Sequence, residues 1–290
     1  MNQNLKISIV IPAHNEEEAL PPVLAEIVKL DLNKEVIIIN DGSTDNTAKE
    51  VAKFKDVKII THPYALGQGA SFKDGFSNAT GDYILTMDAD GQHQAKDIPR
   101  LVSEAKKGYD IVVGARNKSQ QAGAHRNLAN TFYNLLASYV TKFKIQDLTS
   151  GMRIMKSNFA KAVVPSLPNG FSSPTTTTLI SLKSGKSLKY IPIDVLDRQG
   201  GTSKIKIFKD GIRFLIIIGR IVTLFSPSRV FLPISSIFLL SGIIYSLIAI
   251  INVGKLPNLG TLLISTGIII FMIGVVSEQI AQIKTNYHKK

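Results

Sequence analysis

Apolar, β-branched runs recur along the first part of the chain, and each stops at a polar cluster. Lys6-Ile7-Ser8-Ile9-Val10-Ile11 stops at Pro12-Ala13-His14-Asn15-Glu16, and Glu35-Val36-Ile37-Ile38-Ile39 at Asn40-Asp41-Gly42-Ser43-Thr44-Asp45. Tyr83-Ile84-Leu85-Thr86 runs into Met87-Asp88-Ala89-Asp90-Gly91-Gln92-His93. Near-continuous apolar runs of this length read as strands buried on both faces, the pattern of a parallel sheet covered by helices. Val57-Lys58-Ile59-Ile60 and Ile111-Val112-Val113-Gly114-Ala115-Arg116 read as further strands, the second ending in a cation. Thr47 to Phe54, the stretch leading to Gly75 and the amphipathic stretch from Leu128 to Thr141 read as helices. Strand, polar turn and helix in alternation predict an α/β domain with a parallel, nucleotide-binding sheet. Glu16, Asp41 and Asp88 then share one rim, at the carboxyl ends of the strands where open α/β sheets bind ligands.

The pattern changes after residue 203. Val230 to Gly254 and Leu256 to Ser277 contain no charged residue, and each exceeds the roughly 20 apolar residues that cross a bilayer. They predict two transmembrane helices joined by a tight turn near Asn252 to Pro257. Ahead of them, Lys206, Lys209, Asp210, Arg213 and Arg220 fall within about 100° of arc at helical spacing. Ile205 to Phe225 therefore reads as an interfacial helix, because Arg213 and Arg220 make a third span costly. The expected divisions are a catalytic domain at 1–203, a juxtamembrane helix at 204–228 and a membrane anchor with a short basic tail at 229–290.

Charge sharpens this picture. The formal net charge of +12 is uneven: residues 204 to 290 hold ten lysines and arginines against two acidic residues. A basic excess beside apolar segments points to anionic lipid head groups, and no aromatic-basic groove points to nucleic acid. Basic residues flank the two spans while the connecting loop has only Lys255, so the positive-inside rule places both termini and the catalytic domain in the cytoplasm. With no cysteine, disulfides and thiol chemistry are excluded.

Asp88 and Asp90 supply two carboxylates at i, i+2, the oxygen donors that Mg²⁺ or Mn²⁺ prefers while keeping positions open for substrate phosphates. By itself the pair also fits a turn whose Asp and Gly serve backbone geometry. His93 reads either as a neighbour of the metal ligands or, the reading favoured here, as a solvated ring. Asn40 to Ser43 fits a helix cap on Ser43 or Thr44, which leaves Asp41 free to accept from the ring N–H of uracil or guanine. Gly67 and Gly69 open a helix, where backbone N–H groups can approach phosphate, although their spacing is neither G-x-G-x-x-G nor G-x-x-x-x-G-K-[ST] and a plain turn is the better reading of the pair on its own. The four threonines after Pro174 read as strand or turn material.

Ile9 to Glu16, Asn40 to Asp45 and Asp88 to His93, in that order and spacing, resemble the family 2 glycosyltransferases with the Rossmann-like GT-A fold, and among them the polyprenyl-phosphate sugar transferases of the dolichol-phosphate mannose synthase type. Asp197-Arg198-Gln199-Gly200-Gly201-Thr202-Ser203-Lys204 is similar to that family's acceptor-phosphate segment. Physically, Arg and Lys flanking glycines can wrap a phosphate with side-chain and backbone donors. The resemblance implies that Pro12, Ala13, Asn15, Glu16, Asp41, Gly69, Asp88 and Ala89 bind the nucleotide sugar, and that Asp88, Asp90 and Gln92 hold Mg²⁺ or Mn²⁺. It implies that Arg116, Arg126, Ser150, Arg153, Arg198, Ser203 and Lys204 bind the acceptor phosphate, with Asp90, Arg116 and Arg198 catalytic. The chain departs from the family at Ala65, usually Asn, and at Ser172 and Ser173, often acidic. The implied reaction is inverting transfer of one sugar from GDP-mannose or a UDP-sugar to a dolichyl or undecaprenyl phosphate. A phosphate monoester is largely a dianion near neutral pH, so no carboxylate base is needed. A hydroxyl acceptor, which would need a base, and a non-catalytic nucleotide-sugar-binding scaffold remain as alternatives. Membrane lipids are expected partners, and a homo-oligomer is compatible with the sequence.

Overall fold

The computed structural model describes residues 5–116, 131, 134, 135, 137–139, 141–170, 173–196, 227–255 and 257–287. The chain divides into two compact units, Met1–Ser138 with Phe143–Lys204, and Tyr139–Lys142 with Ile205–Lys290. Arg126, Arg198, Ser203, Lys204 and the expected interfacial helix lie outside the described residues.

The first unit is built on a seven-stranded sheet of β1 (Ile7–Ala13), β2 (Lys34–Asn40), β3 (Val57–Thr61), β4 (Tyr83–Thr86), β5 (Ile111–Arg116), β6 (Arg153–Lys156) and β7 (Leu188–Ile193), in the order β3-β2-β1-β4-β6-β5-β7. Strands β3, β2, β1 and β4 are parallel neighbours, as the apolar runs predict. The sheet as a whole is mixed, which corrects the expected parallel one: β6 runs antiparallel to both β4 and β5. The reason is where β6 begins. Arg153 pairs with Thr86 at the carboxyl end of β4, so a strand that starts at that rim has to run back across the sheet.

Helices α1 (Leu20–Val28), α2 (Thr47–Val51), α3 (Gln68–Asn78), α4 (Ile98–Lys106), α5 (Ser157–Val163) and α6 (Ser173–Lys183) complete the unit. Leu20, Val23, Leu24 and Ile27 of α1 and Ile98, Leu101, Val102 and Ala105 of α4 are buried at helical spacing. They pack with Ile7, Ile9, Ile11, Ile38 and Leu85 into one core. Val10 points the other way and meets α3 at Gly75. Both sheet faces are thus covered, which is why the strand sequences do not alternate. Tertiary contacts override propensity in α6, where the threonine run is helical and not strand or turn. Thr175 to Thr178 are buried, and Thr177 and Thr178 Oγ1 accept from the Arg153 guanidinium at 2.8 and 3.0 Å.

In the second unit, α7 (Pro227–Val253) and α8 (Asn258–Tyr287) form a hairpin of two helices long and apolar enough to cross a membrane. Most of their large apolar side chains face outward. Between the helices Gly254 adopts φ +72° and donates its N–H to Ile250 O at 2.9 Å, a left-handed cap that stops α7. Gly242, Gly267 and Gly274 lie against Ile264, Leu239 and Phe231, where a Cβ would meet the facing helix. Small residues of this kind let apolar helices approach without a hydrophobic driving force. The second helix extends past Ser277 to include Glu278, whose Oε2 accepts from Ser228 N at 3.3 Å.

A Cβ at Gly75 would overlap Val10 Cγ1, and Val10 is fully buried. Gly75→Ala is expected to cost about 1–2 kcal/mol despite the better helix propensity of alanine, because a packed β-branched neighbour yields poorly. Chemical denaturation would show a lowered midpoint, and an unchanged one would mean that Val10 moves aside freely.

Candidate active site

The carboxyl ends of β1, β2 and β4 carry the polar clusters into a common cleft. Ala13 pairs with Asn40, and Asp41 N then donates to Ala13 O at 2.8 Å, which sets Asp41 directly beside the end of β1. Asn15, at φ +57°, turns the chain back and stitches the two loops together. Its Oδ1 accepts from Thr44 N (2.8 Å), and its N–H donates to Ser43 Oγ (3.0 Å). Glu16 N donates to Thr47 Oγ1 and Glu17 N to Asp45 Oδ2. The expected cap on Ser43 or Thr44 is therefore corrected: Asp45 Oδ1 accepts from Thr47 N (3.0 Å) at the start of α2, while Ser43 serves the neighbouring loop.

Asp41 is buried and engaged at both oxygens, which corrects the expectation that its carboxylate is free to accept from a base. Oδ1 accepts from Leu66 N (2.8 Å) and Oδ2 from Gly67 N (2.9 Å), and Oδ1 also lies 2.7 Å from His62 Nδ1. Burial pushes its pKa up, but these bonds outweigh burial and hold it below the ordinary carboxylate value. The carboxylate thereby fastens residues 64–67, whose Gly67 at φ +103° fits against Asn169 O. Gly69 is needed for packing, since a Cβ there would overlap Pro168 O. Its N–H is committed to Gly170 O (3.1 Å) and that of Ala70 to Asn169 O (3.1 Å), so this helix start does not offer those donors to a phosphate.

Beyond β4, Asp88 Oδ1 accepts from Gln68 Nε2 at 3.2 Å, and Asp90 Oδ1 accepts from Gln92 N at 3.2 Å. His93 is buried, not solvated; its Nδ1 accepts from Asp88 N at 3.3 Å. Gly151 faces the Asp88 carboxylate, and a Cβ there would overlap Oδ2. The loop carrying Gly151 is set by an ion pair. Arg116 Nε and Nη2 grip Asp147 Oδ2 and Oδ1 at 2.7 and 2.9 Å, and Nη2 also donates to Thr149 Oγ1 at 2.6 Å. Asp147 in turn accepts from Thr149 N and Ser150 N, both at 3.1 Å. Burial opposes both charges, but the pairing prevails, raising Arg116 and lowering Asp147 from their ordinary values.

Arg153 is enclosed. Nε donates to Ser150 O (3.2 Å) and Nη1 to Pro174 O (2.6 Å), Thr177 and Thr178, while Nη2 donates to Ser150 O. Burial lowers its pKa to about 10. Its donors are used inside the protein, where they tie the Ser150 loop to the start of α6.

The cleft between these loops measures about 540 Å³ and is lined by Pro12, Ala13, Glu16, Asp41, Asp88, Ala89 and Asp90 among the expected residues, a size that suits a nucleotide sugar. Asn15, Gly69, Gln92, Arg116, Ser150 and Arg153 lie outside that lining. Residues to which sequence reasoning gave no role also line it, among them His14, Gln68, Thr149 and Gly151. His14 Nδ1 lies 2.7 Å from Asp41 O, and a carbonyl only accepts, so that nitrogen carries the proton. His14 stands inside the first motif and was readable there; the other three are placed by contacts distant in sequence.

A family model described as "Glycosyl transferase family 2" matches residues 8–164, more than half of the chain. The chain belongs to glycosyltransferase family 2. A second model, "GtrB C-terminal hairpin", matches residues 226–283 of this glycosyltransferase. It is 34% identical over 190 residues to an undecaprenyl-phosphate 4-deoxy-4-formamido-L-arabinose transferase of Proteus mirabilis, covering 59% of this chain and 57% of that protein. To the transferase of the same name from Pectobacterium atrosepticum it is 30% identical over 255 residues, covering 84% and 75%. The first of these alignments thus spans little more than half the length of the relative. Among solved structures, glucosyl-3-phosphoglycerate synthase of Mycobacterium tuberculosis, crystallised with Mn²⁺ and UDP-glucose, aligns at a TM-score of 0.60 with 18% identity, over 76% of this chain and 78% of that one. That likeness shows the GT-A fold.

The donor set fits a divalent cation of the hard kind. Among the described residues no three His, Cys, Asp or Glu side chains gather into a closed cage, whereas Asp88 and Asp90 face the open cleft. Mg²⁺ and Mn²⁺ take one or two carboxylates and complete their shell from substrate phosphates and water. Gly151 leaves the Asp88 carboxylate the room it needs.

Two outcomes test this geometry. Gly151→Ala is expected to weaken Mn²⁺ binding about tenfold or more, corresponding to roughly 1.4 kcal/mol, by displacing Asp88; unchanged calorimetric affinity for Mn²⁺ would remove the steric account. Asp147→Asn is expected to destabilise the first unit by about 2–3 kcal/mol, less than for a fully enclosed pair because Arg116 is partly exposed. Because the folded pKa of Asp147 is depressed, its contribution is present above the unfolded value of about 3.9 and is lost as pH falls through the folded one. Unfolding midpoints in that acid window should accordingly be flatter for the variant than for the wild type, and parallel curves would contradict the assignment.

Proposed function

We propose that this glycosyltransferase transfers one sugar from a nucleotide diphosphate sugar to a polyprenyl phosphate at the cytoplasmic membrane face, inverting the anomeric carbon. The observation that carries the reading is a nucleotide-sugar-sized cleft edged by Asp88 and Asp90 in a chain that also bears an apolar helical hairpin. The names of the relatives, undecaprenyl-phosphate sugar transferases, favour a polyprenyl phosphate over a soluble acceptor.

In this reading Pro12, Ala13 and Glu16 contact the nucleoside, Asp41 supports that pocket by fastening the 64–67 loop, and Asp88, Asp90 and Gln92 hold Mg²⁺ or Mn²⁺. When bound, that cation neutralises charge developing on the departing diphosphate. A phosphate oxygen of the acceptor forms the new bond to the anomeric carbon while the bond to the diphosphate breaks, and the nucleoside diphosphate leaves. The acceptor is already largely a dianion, so the absence of an acidic residue at Ser173 is consistent with the reaction.

Arg126, Arg198, Ser203 and Lys204 are assigned to the acceptor phosphate, and Arg116, held by Asp147 and Thr149, is assigned to positioning the 147–151 loop. Support comes from the exit of β7: Gln94 Nε2 donates to Asp194 O (3.0 Å) and Leu196 N to Gln92 O (3.0 Å). The chain therefore runs along the Asp90–Gln94 loop only two residues before Arg198. Arg153, whose donors are satisfied internally, is assigned to positioning. The basic residues flanking the hairpin support cytoplasmic termini.

The test is to incubate membranes containing the chain with labelled UDP- and GDP-sugars, polyprenyl phosphate and Mn²⁺, and to extract lipid-linked label. A single sugar on the lipid phosphate is the expected product. Asp90→Ala should lower its formation by about 100-fold or more. Label found only on diacylglycerol or glycan hydroxyls, or full activity in EDTA, would sink the proposal.

A further inference from the structure

His62 follows β3 and is buried, with a carboxylate against each ring nitrogen. Nδ1 lies 2.7 Å from Asp41 Oδ1, and Nε2 lies 2.8 Å from Asp74 Oδ2 on α3. A neutral imidazole has one N–H and one lone pair, so one contact would set a lone pair against a carboxylate oxygen. Only the imidazolium donates to both. Asp41, on its other side, accepts from Leu66 N and Gly67 N, and so fastens the 64–67 loop whose Ala65 and Gly67 form part of the cleft wall.

We infer that His62, held as an imidazolium between Asp74 and Asp41, is a positioning residue that fixes the Asp41 carboxylate and through it one wall of the donor cleft, so that nucleotide binding depends on the charge of this ring. The inference rests on the reading of the cleft as the nucleotide-sugar site. His62 does not line the cleft; its effect passes through Asp41. The charged groups that bond the ring are Asp41 from the end of β2 and Asp74 from α3. The nearby cations are engaged elsewhere: Lys58 on β3 bonds Asn78 Oδ1 (3.3 Å), and Lys73 on α3 bonds Asn169 Oδ1 (2.7 Å).

Burial works against the imidazolium, but the two carboxylates outweigh it and raise the ring's pKa above its ordinary value. The charge therefore persists above the ordinary imidazole value and is lost as pH rises through the raised one. Asp41 then loses a charge-assisted bond, and the wall it fastens loosens.

Calorimetric titration of the detergent-solubilised full-length protein with UDP and with GDP, each with Mn²⁺, from about pH 6.5 to about pH 8.5 tests this. The wild type is expected to bind one nucleotide well at the low end and progressively less well toward the high end. His62→Gln should bind about tenfold more weakly near neutral pH and lose the alkaline decline. Asp74 is half exposed, so Asp74→Asn keeps the test open should His62→Gln fold poorly; it should move the decline to lower pH. Wild-type affinity and an unaltered pH profile in His62→Gln, or a decline that stays in place in Asp74→Asn, would overturn the inference alone. A wild type that binds neither nucleotide would overturn the functional reading and this inference with it.

Discussion

Backbone N–H groups just past the carboxyl ends of parallel strands have no neighbouring strand to bond, and burying them unpaired costs about as much as a lost hydrogen bond. In this protein carboxylate and amide side chains accept from them. Asp41 takes Leu66 N and Gly67 N, Asp45 takes Glu17 N and Thr47 N, and Asn15 takes Thr44 N. Asp147 takes Arg116 N, Thr149 N and Ser150 N, and Asp90 takes Gln92 N. The 44–47, 64–67, 90–92 and 147–150 loops are tied in this way. The acidic character of the rim is thus first a requirement of folding, and the ligand site is built from what the folding requirement leaves free.

That constraint shapes the electrostatics of the cleft. Glu16, Asp41, Asp88 and Asp90 line it, while two arginines among the described residues are drawn off, Arg116 to Asp147 and Arg153 into the interior. A diphosphate would meet mainly carboxylates there, an unfavourable approach in a partly desolvated space unless a cation stands between them. A divalent ion on Asp88 and Asp90 meets that need, and the glycine at position 151 keeps their side unobstructed.

The hairpin unit follows different rules. Its helices contact each other through glycines and serines and expose leucine, isoleucine and valine outward, the inverse of the first unit, where those residues are inside. Lipid tails are as apolar as leucine, so close van der Waals fit at small residues takes over the role that burial plays elsewhere.

Strands β1 to β5, the acid clusters at their ends and the two long apolar helices were legible in the sequence, because each depends on residues adjacent along the chain: apolar runs, a D-x-D, uncharged spans. The antiparallel β6, the helical threonine run, the burial of His93 and the bond from Glu17 N to Asp45 were not. Each depends on a partner far away in sequence, such as Thr86 for Arg153, Arg153 for Thr177, or the Glu17 loop for Asp45. The same holds for function within the motifs. The sequence by itself determined which residue types gather at the rim and that a hairpin follows; only the tertiary structure decided that Asn15 and Gly69 serve the loops, that Arg153 is enclosed, and that His62 stands behind Asp41. Spacing along a chain reports which side chains share an element, whereas hydrogen-bond saturation, which separates a free ligand from a structural one, is set by what the fold brings against it.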